Sequence, residues 1–221
     1  MSEIDRRGAL GAAVLTTGLA TGLAAGTSAA AAQTQAHGAH GSRAPSLVQQ
    51  VDMLVSRAQI EEVLLAYARG NDHADEAMIR DCFWPESTHK HGGFDGTSAG
   101  FVSFAMKILP SLKYCKHHIT NVSVQVKGDR AFSECYYYAH HRRDRKDGSG
   151  EEDVFFEGRY IDLHERRGGV WKIIRRRGMS DWNSPASPAE APYAALPAGT
   201  HALRSRDDDY YKMLAIFEAG A

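Results

Sequence analysis

The residues of this chain that could carry out chemistry lie in two short segments, one around Asp72 and one that opens with His117. Asp72 follows a helix-like stretch from Val51 to Tyr67, and residues 117–121 (His-His-Ile-Thr-Asn) begin a predicted strand. A histidine titrates near neutral pH, and a buried carboxylate can orient its ring, so this pair of residue types suits acid–base chemistry. The two segments therefore suggest a buried site that acts on a small apolar molecule.

The bulk composition is that of an ordinary soluble protein and does not indicate a function. The 221 residues are 43% hydrophobic and 24% charged, with a formal net charge of -1. That charge argues against nucleic-acid binding, which needs a sustained positive face. Three cysteines, Cys82, Cys115 and Cys135, are an odd number without a CxxC spacing. They argue against a disulfide framework and are expected mostly as small buried hydrophobes, although one pair could bridge.

The first 32 residues are expected to be an export signal rather than part of the fold. Arg6 and Arg7 precede an uncharged stretch of small and weakly apolar residues, and the alanines before Gln33 offer a cleavage point. The pattern resembles a twin-arginine signal, so we expect a bacterial periplasmic or secreted protein without stable membrane insertion after cleavage. Residues 33–47 contain little apolar surface and are expected to form a flexible linker.

The remaining sequence predicts an α+β domain over residues 48–184 and a tail with a short helix over residues 185–221. Apolar residues at helical spacing predict a first helix that ends near Gly70, a second short helix capped by Asp75, and a third that begins near Ser98. Beyond Lys113 the apolar period changes to that of strands, which are predicted over residues 119–126, 131–142, 154–165 and 170–180. Tight turns between these strands indicate an antiparallel meander, on which the helices should pack and leave a conical pocket.

The order of elements and three motifs resemble the SnoaL-like branch of the nuclear transport factor 2-like superfamily. The motifs are residues 56–60 leading to Asp72, the His117-xxx-Asn121 strand, and residues 170–172 leading to Arg176. The resemblance spans about residues 51–182, and within the branch it is closest to the scytalone dehydratases and hexachlorocyclohexane dehydrochlorinases. It implies a cone-shaped, cystatin-like roll of about three helices on a curved, mainly antiparallel sheet, assembled as a homodimer or homotrimer.

The resemblance also implies a role for each site residue. The Asp-His dyad of these enzymes falls on Asp72 and His117: His117 would be the general base, and Asp72 would fix its tautomer and stabilise the imidazolium. Tyr67 would polarise a substrate oxygen, while Asn121 and Arg176 would help to position it. The expected apolar lining is Phe83, Trp84, Phe101, Phe104, Tyr136 and Tyr138.

These roles imply a cofactor-independent lyase of the dehydratase type that acts on a small apolar cyclic or aromatic substrate. The same dyad could serve an isomerase or a retro-aldol lyase, and the fold also occurs as a non-catalytic small-molecule-binding module. His118 is an alternative base, because adjacent strand residues face opposite sides. Asp72 alone could also simply end a helix or cap the next.

A native metal site is not expected from the sequence. His89 with His91, and His140 with His141, place imidazoles near each other, but no third ligand stands at a diagnostic spacing.

Overall fold

A computed structural model describes residues 44–195, 197 and 199–220 of the chain. The predicted export signal and residues 33–43 of the predicted linker lie outside the described residues. Within the described ranges, no helix combines the length and the apolar character needed to cross a membrane.

Helix α1 (Leu47–His73) is longer than the sequence pattern indicates and carries Asp72 on its last turn. Its start is a capping box, in which Ser46 and Gln49 satisfy each other's backbone N–H groups. Its end is fixed by Ala74, which adopts a left-handed conformation with φ of 53°. The buried stripe of the helix repeats every three or four residues and consists of Ser56, Ile60, Leu64, Tyr67, Ala68 and Asn71.

Two short helices follow the first one and complete the helical layer. Helix α2 (Glu76–Asp81) is capped by Asp75, as predicted, and it ends before Phe83, which belongs to the next strand. Gly70 lets α1 and α2 approach, because a Cβ at that position would lie 2.6 Å from the Ile79 side chain. Helix α3 (Ser98–Ala105) begins at the predicted residue, with Thr97 as its N-cap. A 3-10 turn (Leu109–Ser111) leads from α3 into the sheet.

The sheet consists of seven strands, and its order is β2-β1-β6-β5-β4-β3, with β7 paired to β5. The strands are β1 (Phe83–His91), β2 (Phe94–Thr97), β3 (Tyr114–Lys127), β4 (Arg130–Asp144), β5 (Glu151–Arg167), β6 (Val170–Asn183) and β7 (Ser187–Pro188). Strands β3 to β6 form the predicted antiparallel meander, and β1 joins β6 in parallel. The predicted α+β class and its mainly antiparallel sheet are therefore confirmed, and the β1–β6 pair is the parallel one.

The helices cover one face of the sheet, and the main core lies between the two layers. This core contains apolar side chains from the three helices and from the sheet, including Leu64, Ile79, Val102 and Ile173. A smaller cluster consists of Ile60 of α1, Ala131 of β4 and Trp171 of β6. All three cysteines are buried and unbridged.

The tail ends in helix α4 (Asp209–Glu218). Its N-cap is Asp208, whose side chain accepts a hydrogen bond from the backbone N–H of Tyr210. The tail returns to the joint between α1 and α2, where the Tyr211 hydroxyl donates to Asp75 over 2.8 Å. Arg206 forms an ion pair with the same carboxylate at 3.0 Å, and the Tyr210 ring stacks on His73. The C-terminal segment thus packs beside the turn of α1 that holds Asp72.

Candidate active site

The last turn of α1 and the start of β3 bring Asp72 and His117 into direct contact. Oδ1 of Asp72 lies 2.8 Å from Nδ1 of His117, and Oδ2 accepts the backbone N–H of the same residue at 3.2 Å. An ionised carboxylate only accepts hydrogen bonds, so Nδ1 must carry the hydrogen. Both side chains are about nine-tenths buried, at 9% and 11% exposure. Nε2 is therefore the ring nitrogen left for a bound molecule.

The surroundings of His117 favour the charged imidazolium. Burial alone would lower the pKa of His117, but the hydrogen bond with Asp72 and the contact with Cys115 outweigh it and raise the pKa above the usual range. Burial likewise tends to raise the pKa of the Cys115 thiol, whereas the adjacent His117 and His141 rings lower it by more. The Cys115 sulfur lies 3.8 Å from Nδ1 of His117. The two shifts have one origin, since each group stabilises the charge of the other.

A cavity of about 360 Å³ opens in front of His117. Its wall is mainly apolar and aromatic, and none of the described residues that line it is Lys, Arg, Asp or Glu. Phe104 and Ile108 stand at its rim and are about half exposed, whereas Phe101 is buried deeper in its wall. Such a cavity suits a small uncharged molecule, because its few polar groups can orient a ligand while the apolar wall supplies most of the contact.

Tyr67 lies in the wall of this cavity, one helical turn before Asn71. Burial raises the pKa of its phenol to about 12, so it remains an O–H donor at physiological pH. The Tyr67 ring packs against Arg176, whose guanidinium carbon lies 4.1 Å from the ring centroid. The centroid of the Tyr160 ring lies 4.4 Å from the same guanidinium carbon, and Tyr160 lines the cavity as well.

Arg176 does not reach the cavity, although it was expected to position the substrate. Its side chain is fully buried and bonds to both carboxylate oxygens of Asp162, at 2.8 and 2.6 Å. Burial would lower the pKa of Arg176, but Asp162 raises it, so the guanidinium stays charged. Arg176 therefore packs against two residues of the cavity wall, Tyr67 and Tyr160, without lining the cavity itself.

Asn121 also lies away from the cavity, on the exposed side of β3. A β-bulge between Thr120 and Ser123 breaks the alternation of the strand, and Asn121 adopts a left-handed φ of 50° within it. Asparagine tolerates this conformation better than most residues. The four-residue spacing from His117 therefore does not place the two side chains on one face.

The expected aromatic lining is only partly at the cavity. Phe101 and Phe104 line it, but Tyr136 and Tyr138 project from the outer face of β4, and Tyr137 takes the inward position between them. Phe83 is buried against Tyr67 in the core. The indole N–H of Trp84 donates to the backbone of β5, and its ring packs under Arg167.

Three polar residues near His117 were not expected in the site. His91 lines the cavity, and burial together with Arg176 lowers its pKa to about 4, so its ring is neutral. His141 lines the cavity beside His117, with ring centroids 5.7 Å apart. Cys115, His117 and His141 each offer a ligand atom, and these atoms lie within 4.8 Å of one another. Only the register of β3 against β4, which pairs Cys115 with His141, could have revealed this cluster.

The sequence of the domain matches a family model described as SnoaL-like domain over residues 52–177, which is more than half of the chain. The chain belongs to the SnoaL-like domain family. The matched segment runs from α1 to β6 and includes both Asp72 and His117. A comparison with curated protein sequences gives no significant match.

Solved structures agree with this SnoaL-like assignment at the level of the fold. A hexachlorocyclohexane dehydrochlorinase (LinA) of type 2 is 22% identical, with a TM-score of 0.56 over 68% of this chain and 99% of that chain. A protein provisionally named a scytalone dehydratase, from Novosphingobium aromaticivorans, is 19% identical, with a TM-score of 0.56 over 69% and 99%. A nuclear transport factor 2-like protein from Salmonella enterica is 15% identical, with a TM-score of 0.51 over 67% and 99%. The family model therefore confirms the predicted SnoaL-like family, and the solved structures confirm the fold.

Proposed function

We propose that this SnoaL-like protein is a cofactor-independent lyase that eliminates water from a small, uncharged cyclic or aromatic molecule. The observation that carries the proposal is the hydrogen bond between Asp72 and Nδ1 of His117, which leaves Nε2 of the same ring for a ligand in an apolar cavity. A passive apolar pocket has no need for a buried titratable pair, which costs desolvation free energy.

In the proposed reaction, His117 acts in its neutral form, which becomes the major form only above its raised pKa of about 9, and takes a proton from a carbon atom next to an activating group. Asp72 holds the ring in the required tautomer and stabilises the imidazolium that forms. The electron pair of the broken C–H bond forms a double bond as the neighbouring C–O bond breaks. The imidazolium then returns the proton to the departing oxygen, so water leaves and His117 is neutral again.

The cavity supplies two further polar groups for the substrate oxygen. The Tyr67 phenol keeps its hydrogen, because burial raises its pKa, and it can donate to a carbonyl or a leaving oxygen. The neutral ring of His91 offers a second hydrogen-bonding group on the cavity wall. Neither group adds a net charge, in agreement with an uncharged substrate.

The first experiment detects proton abstraction whatever the leaving group is. Full-length protein is incubated in D2O with a panel of cyclic hydroxyketones, cyclic ketones and phenols, and mass spectrometry follows both deuterium uptake and loss of water. We expect loss of water from a hydroxyketone, and a decrease of about 10²–10⁴-fold in the His117→Gln variant. Deuterium uptake without loss of water would favour the isomerase alternative, and fragmentation of the ring would favour retro-aldol cleavage.

His118→Gln is the matched control for this experiment. His118 is the next residue in β3, but it is exposed on the outer face against Tyr138. Its variant should keep the wild-type rate within a factor of about two. Equal losses in both variants would contradict the assignment of His117, and ligand binding without any exchange would identify a binding module.

A further inference from the structure

The site contains two groups next to His117, Cys115 and His141, that the proposed elimination does not use. Cys115 and His117 project from the same side of β3, and His141 faces them from the paired position on β4. The Cys115 sulfur lies 3.8 Å from Nδ1 of His117, and a ring nitrogen of His141 lies within 4.8 Å of both residues' ligand atoms. Oδ1 of Asp72 is 2.8 Å from the same Nδ1. Three potential ligand atoms, from Cys115, His117 and His141, thus lie close together beside the cavity, and Asp72 contacts one of these residues.

These groups have the chemistry and nearly the spacing of a tetrahedral metal site. A thiolate and two imidazoles are ligands that zinc takes in proteins, and tetrahedral coordination separates their ligand atoms by about 3.3–3.6 Å. The separation of Cys115 and His117, 3.8 Å, is already close to this value. All three ligand atoms lie within 4.8 Å of one another, so none of their separations exceeds the tetrahedral value by more than about 1.5 Å.

An independent observation at His141 also points to a ligand. Its Nε2 atom is buried, yet within the described part of the chain it has no hydrogen-bond partner. A buried polar atom without a partner costs about 1–3 kcal/mol, which a bound cation would offset. By contrast, Nε2 of the neighbouring His140 is 2.7 Å from Asp153, a carboxylate that Arg142 also binds. The guanidinium makes that second cluster unsuitable for a cation.

We propose that Cys115, His117 and His141 form a binding site for a divalent cation of the zinc type, with Asp72 beside it. The cation takes the place of the hydrogen that Nδ1 of His117 donates to Asp72. A neutral His117 ring that binds metal through Nδ1 carries its hydrogen on Nε2, so it cannot accept a proton from carbon. Metal binding therefore blocks the base, a consequence that rests on the proposed function, whereas the binding itself does not.

Cobalt(II) is a suitable probe, because a Co2+ ion bound by a thiolate shows a ligand-to-metal charge-transfer band. Full-length protein is titrated with Co2+ under reducing conditions, followed by Zn2+ as a competitor. We expect one equivalent of Co2+ with a thiolate band, which Zn2+ abolishes, and release of protons on binding. Cys115→Ala should lose the band, and His141→Gln should weaken binding at least about tenfold.

Matched variants distinguish this site from other possible ligands. Cys135→Ala removes another buried thiol, His140→Gln removes the adjacent imidazole, and His37→Gln with His40→Gln removes two histidines of the N-terminal segment. All three should bind like the wild type, and circular dichroism checks that each variant is folded. The proposal is overturned if the wild type shows no thiolate band, or if Cys115→Ala binds as tightly as the wild type. Because the readout needs no turnover, failure of the lyase assay leaves this result intact, and the reverse also holds.

Discussion

Two buried ion pairs, Asp72–His117 and Asp162–Arg176, differ in whether a member of the pair lines the cavity. In the first, the ring nitrogen that does not contact the carboxylate belongs to a residue that lines the cavity. In the second, both side chains are completely buried, and the guanidinium packs against the rings of Tyr67 and Tyr160. The comparison teaches that burial of charge alone does not identify a reactive site. What distinguishes the first pair is that His117 lines the apolar cavity.

The largest expected effect on stability comes from breaking the Asp162–Arg176 pair. Asp162→Asn leaves a buried guanidinium without its counter-charge and should lower the free energy of unfolding by about 3–5 kcal/mol, as measured by urea denaturation. The double variant Asp162→Leu with Arg176→Met removes both charges and should recover most of that loss. A loss below about 1 kcal/mol in the single variant would show that the pair does not have the structural role assigned to it.

A pH experiment compares the two regions through their histidines. His164 lies two residues from Asp162 and bonds to Ser133 over 2.8 Å, and burial lowers its pKa to about 4, opposite in direction to the shift of His117. Its neutral form is favoured by folding, so the associated stability is complete above the unfolded pKa of about 6.5 and is lost as the pH falls toward 4.

The wild type should therefore lose about 2 kcal/mol more than His164→Gln between pH 7.5 and pH 5, as urea denaturation at each pH will show. Glutamine can retain a hydrogen bond to Ser133 but does not titrate. Parallel curves for the two proteins would mean that His164 is not held neutral by the fold.

The smallest effect concerns Tyr67, which packs against Arg176 and also lines the cavity. Tyr67→Phe keeps the ring over Arg176, so the free energy of unfolding should change by no more than about 1 kcal/mol. Loss of the hydroxyl should lower kcat about tenfold with the substrate found above, because a donor to the substrate oxygen is removed. An unchanged kcat would show that the Tyr67 hydroxyl does not donate to the substrate oxygen, and that Tyr67 serves only as part of the cavity wall.

The fold was accessible from the sequence because it rests on periodicity and turn residues. The helical stripe up to Tyr67, the Asp75 cap and the alternation of β4 are all local signals. The pairing of Asp72 with His117 was accessible only through the resemblance to a family, since no local pattern joins residues 45 positions apart.

The remaining site residues depend on features that a strand pattern does not contain. The bulge at Asn121 reverses the facing of the residues that follow it, and the three consecutive tyrosines of β4 do not say which of them points inward. The small residues Ala131, Ser133 and Ala139 share the register of Tyr137, and that shared register is the signal that would have selected it. The cluster of Cys115 and His141 follows from cross-strand register alone.

Phe104 and Ile108 at the cavity rim have a consequence for the order of events during binding. A molecule that enters must pass these two apolar side chains and lose its hydration shell before it contacts any imidazole. Discrimination between candidate compounds therefore begins with their partitioning out of water. Close analogues that differ by one exposed hydroxyl should therefore differ in how readily they enter the cavity, before any bond breaks.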